Sequence, residues 1–114
     1  MSQHTLNTDT REGRPVVVQA GWDESHHGFF LVVQDERLSK LEGRFIYSNL
    51  GRPASERFPR CFDCLEVVLA ELGIVIPPEM LDEIREDGRV HAGPKRVVWT
   101  PGGIRHGHEY WEVQ

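Results

Sequence analysis

Two runs of strand-forming residues constrain the fold of this chain most. "PVVVQAGW" (Pro15 to Trp22) and "FFLVVQDE" (Phe29 to Glu36) are rich in β-branched and aromatic side chains, which fit a pleated surface. Between them stands "DESHHG", a cluster of turn-type residues ending in Gly28. Two such runs around a short polar segment read as an antiparallel hairpin. Their centres are apolar enough that both faces must be partly covered.

The rest of the chain supplies the cover. A third strand is expected over Arg44 to Leu50 ("RFIYSNL"), then a loop marked by Gly51, Pro53 and Pro59. In "CFDCLEVVLAELG" the residues Cys61, Phe62, Leu65, Val68, Leu69 and Leu72 recur at helical spacing and form an apolar stripe, with Gly73 suited to stop the helix. In "PPEMLDEIREDG" Pro78 suits a first helical turn. Met80, Leu81 and Ile84 make one apolar face, and Gly88 is the expected end. Lys95 to Thr100 reads as a strand and "TPGG" as a tight turn; residues 104–113 read as a weak returning strand. Residues 1–13 are polar without periodicity and are expected to be a flexible tail, leaving 14–114 as a single domain. The predicted order β-β-β-α-α-β places the chain in the α+β class, with an antiparallel sheet of four or five strands and two helices packed on one face.

Charge narrows the functional classes. The formal net charge is −5, against the basic footprint that nucleic acid requires. The charge is also segregated. Residues 61–87 hold eight acids against Arg85 alone, while residues 44–60 hold four arginines against Glu56. Two helices joined by a short connector have the outline of a DNA-reading pair, but phosphate would repel so acidic a second helix. No apolar run approaches the roughly 18 residues of a membrane span, and the first residues lack the apolar stretch of a secretory signal. A cytoplasmic chain with reduced cysteines is expected.

Three groups of residues raise the question of chemistry. Cys61 and Cys64 form a C-x-x-C at the start of a predicted helix, where the first reading is packing in the apolar stripe. The alternative is a thiol-redox or zinc role, the latter with His106 and His108 as a Cys2His2 set. A Pro/Arg loop before the motif and Asp63 within it weigh against redox use. His26 and His27 stand side by side at the expected turn, where neighbours point apart and do not share one metal; an exposed turn is expected. Trp22, Trp99 and Trp111 lie in or beside predicted strands, and Trp111 is a candidate anchor for a partner. No nucleophile elbow, phosphate loop, dinucleotide fingerprint or zinc-protease motif occurs.

The pattern "GWD…GFFLVV…YSNL…ELGI.IPPEMLDEIREDG", over about residues 19–88, resembles small accessory proteins of bacteria, some carried on plasmids and integrating elements. The resemblance implies a binding protein, with no enzymatic residues carried over. The expected function is non-catalytic protein binding through an acidic helical face of Glu79, Asp82, Glu83 and Glu86, without a cofactor. The natural partner is a basic or nucleic-acid-handling protein, or a second copy through an exposed sheet edge.

Overall fold

The hairpin forms, and it is the middle of a larger sheet than the sequence predicts. The computed structural model describes residues 1–37, 45–49 and 58–103, together with the backbone of 105–110. It contains β1 (Ser2–Asp9), β2 (Pro15–Asp23), a 3-10 turn (Glu24–His26), β3 (Gly28–Asp35), β4 (Phe45–Ser48), α1 (Asp63–Leu72), α2 (Pro78–Arg89), β5 (Lys95–Trp99) and β6 (Arg105–Tyr110). The six strands lie in the order β4-β3-β2-β1-β5-β6. Every pairing is antiparallel except β1 with β5. The class is α+β, as expected.

The expectation of a flexible tail is overturned. Residues 2–9 form β1, an interior strand between β2 and β5. Its burial alternates, with Ser2, His4 and Leu6 fully enclosed. That is the period-2 signature of a half-buried strand, hidden because two of its three inward residues are polar. Each is satisfied by a distant partner. Ser2 Oγ accepts the Trp22 backbone N–H at 3.0 Å. His4 Nδ1 accepts from Trp99 Nε1–H at 3.0 Å, and His4 Nε2 lies 2.6 Å from Asp87 Oδ2. Tryptophan can only donate, so the hydrogen of His4 sits on Nε2 and is given to Asp87.

The same core accounts for the acidic end of α2. Asp87 is buried and also meets Lys95 Nζ at 2.5 Å; Lys95 in turn reaches Glu83 at 3.2 Å. Burial raises the Asp87 carboxyl, but hydrogen bonds from His4 and Lys95 outweigh it and hold the group below the ordinary aspartate range. Around this polar knot, Leu6, Val16, Val18, Leu31, Val33 and Val97 of the sheet meet Phe62, Leu65, Leu69, Met80 and Ile84. Both helices therefore cover one face. Asn49 extends the other end of the ladder, since its side-chain amide accepts from Leu31 N–H and donates to Phe29 C=O.

Helix α1 ends as expected, with Gly73 left-handed at φ 70°. Helix α2 runs through Gly88 to Arg89. Gly88 does not stop the helix; it makes room. A Cβ there would lie 2.3 Å from Cζ of Phe29.

Candidate functional site

The turn between β2 and β3 carries the most distinctive geometry. Asp23 caps the 3-10 turn by accepting from the backbone N–H of Ser25. A 3-10 turn repeats every three residues, so Glu24 and His27 come to the same side, 3.6 Å apart. His26 goes elsewhere, to Asp23 at 3.1 Å and into a stack on Phe58 at 4.1 Å between ring centres. The two neighbouring histidines do point apart, as expected. His27, however, meets His91 from the connector after α2, at 6.1 Å between ring centres. His91 Nδ1 lies 2.8 and 3.0 Å from the two Glu24 carboxylate oxygens.

His27 and His91 rim a cleft of about 640 Å³, lined also by Trp22, Phe29, Arg60, Cys61, Phe62, Arg85, Gly88 and Arg89. An edge-to-face series forms one wall: Phe62 to Phe29 at 5.5 Å, Phe29 to Trp22 at 5.0 Å, and Trp22 to His91 at 5.4 Å. Such contacts fix ring orientation from the core outward. The far side is held by Phe29 N–H, which donates to Pro59 C=O at 2.7 Å. The only non-glycine residues with positive φ among those described, His27, Phe58 and His91, all lie at or beside this cleft. Left-handed backbone at such residues costs about 1–3 kcal/mol each and clusters where a structure serves a site.

The electrostatics are mixed. Arg85 is paired with Asp63 and Glu66, and Arg89 with Glu86. Arg60 is exposed and takes part in none of the ion pairs among the described residues. Slight burial raises the Glu24 carboxyl, yet hydrogen bonds from His91 and Trp22 Nε1 outweigh it and hold it below the usual range. Cys64 Sγ reaches the Cys61 carbonyl at 3.4 Å.

The residues singled out from sequence are distributed as follows. Cys61 and Cys64 are exposed, not packed in the apolar stripe. Helix α1 begins only at Asp63, so Cys61 falls outside its buried face. His106 and His108 lie on the edge strand β6, four strand spacings from β3, or about 19 Å. The cysteines adjoin β3 through Pro59, so the sheet order keeps the two pairs apart. Of the acidic face, Glu83 turns to Lys95 and Glu86 to Arg89. Glu79 lays its carboxylate over Gly103 but stays exposed, as do Asp82 and Glu86. Trp111 lies outside the described residues. No local pattern marks His91, Arg60, Arg85 or Arg89 as site residues. The Glu-x-x-His spacing of Glu24 and His27 was the available signal; nothing local links His91 to it across 67 positions.

No protein-family model matches this chain, and no curated protein or solved structure does either. No helix among the described residues is long and apolar enough to cross a membrane.

Proposed function

We propose that the chain is a non-catalytic binding module that holds an acidic segment of a partner protein in the cleft between the hairpin turn and the helix ends. One observation carries the reading. In a chain of net charge −5, this concavity gathers three arginines and two histidines over an aromatic wall. Aromatic and arginine side chains are those enriched at binding hot spots. A concave, partly apolar site with a few convergent polar groups is the usual form of a recognition site. Among the described residues of the cleft, Arg60 takes part in no ion pair, while Arg85 and Arg89 bring guanidinium planes already balanced by their own acids.

The sign is opposite to an acidic helix seeking a basic partner, and the exposed Glu79 and Asp82 remain of that alternative surface. One selection separates the two. Peptides chosen from a random displayed library should be acidic with a bulky apolar residue, and their binding should fall at least about tenfold in Arg60→Glu. Enrichment of basic peptides whose binding is lost in Asp82→Lys, and kept in Arg60→Glu, refutes the cleft reading and restores the acidic face.

A further inference from the structure

We infer that Glu24, His27 and His91 form a binding site for one divalent transition-metal ion, of which zinc is the natural occupant. One ligand atom from each of the three side chains lies within 4.8 Å of the others. Two imidazoles and one carboxylate are a ligand set that zinc accepts, leaving a fourth position open. Metal–ligand distances of about 2.0–2.2 Å place tetrahedral ligand atoms about 3.4 Å apart. The three side chains are exposed or half-exposed, so closing from the observed spread takes rotamer adjustment and no backbone change.

The surroundings are already arranged for this. Glu24 and His27 are fixed to one side by the single 3-10 turn, and both histidines sit on left-handed backbone that aims their rings at each other. Trp22 Nε1–H donates to Glu24 Oε1 at 3.2 Å, while the Trp22 ring meets His91 edge to face. A metal ligand held from behind in this way is oriented before the ion arrives. The His91 nitrogen that now faces Glu24 at 2.8 Å is free to take the ion once the neutral ring carries its hydrogen on Nε2 instead. Of the cleft's three guanidinium groups, those of Arg85 and Arg89 repel a cation little, since Asp63, Glu66 and Glu86 neutralise them, which leaves Arg60 as the one whose charge is not balanced among the described residues. His27 and His91 line the cleft and Glu24 does not, so the open position is reached from the cleft. The site does not depend on what the cleft holds.

The test is zinc titration of the full chain, followed by native mass spectrometry and by cobalt substitution. One zinc per folded chain is expected, with a cobalt spectrum lacking thiolate charge-transfer bands. His27→Asn and His91→Asn keep residues tolerant of left-handed backbone and should each weaken binding about a hundredfold or more. Trp22→Phe, which removes the hydrogen bond to Glu24 and shrinks the ring behind His91, should weaken it about tenfold. Cys61→Ser/Cys64→Ser should bind as the parent does. Absence of stoichiometric zinc, or binding that survives His91→Asn and disappears with the cysteines, overturns the assignment.

Discussion

Replacing Asp87 by alanine tests the polar knot that ties β1 to the helices. The change leaves His4 Nε2–H without its acceptor and removes the closest anion from Lys95, whose side chain is 10% exposed. Removing one partner of a buried charged pair costs about 3–5 kcal/mol, because the other remains desolvated and uncompensated. Lys95 keeps Glu83 at 3.2 Å, which places this case near the lower end, about 3 kcal/mol. That is a large share of the roughly 5–15 kcal/mol that holds an ordinary domain folded. At about 4 °C per kcal/mol for a chain of this size, the melting temperature should fall by about 12 °C. Thermal and urea unfolding followed by circular dichroism measure it, with Asp82→Ala as the exposed reference on the same helix, expected within about 0.5 kcal/mol of the parent. If Asp87→Ala and Asp82→Ala differ by less than about 1 kcal/mol, the knot contributes nothing to stability and the reasoning fails.

Three further outcomes follow from the same packing. Asp87 has a depressed folded-state pKa, so its contribution is present above the unfolded value of about 3.9 and is lost as pH falls through the folded value; the acid-unfolding transition should therefore be weaker in Asp87→Asn than in the parent when each is scaled to its own stability at neutral pH. Deleting residues 2–9 removes an interior strand and should abolish cooperative unfolding, whereas a tail could be cut without effect; a sharp, unshifted melt would refute the assignment of β1. Gly88→Ala should destabilise by about 1–3 kcal/mol through overpacking against Phe29, although helix propensity alone favours alanine by about 1 kcal/mol; a more stable variant would show that the ring yields freely.

What the sequence determined by itself is whatever rests on local periodicity. The hairpin of β2 and β3, both helices, the position of β5 and the divergence of His26 from His27 follow from β-branched runs, a helical apolar stripe and the geometry of turns, each set by residues within a few positions. Tertiary structure decided the rest. Ser2 and His4 look like tail residues until Trp22, Asp87 and Trp99 satisfy them. Glu83 and Asp87 look like a solvated acidic face until Lys95 meets them. Cys61 leaves the apolar stripe because α1 starts at Asp63, and Cys64 lies within α1 but off its buried face of Leu65 and Leu69. His91 joins Glu24 and His27 only because the connector after α2 returns to the hairpin turn. A polar residue's role depends on its partner, and here the partners lie up to 95 positions away, beyond the reach of any local pattern.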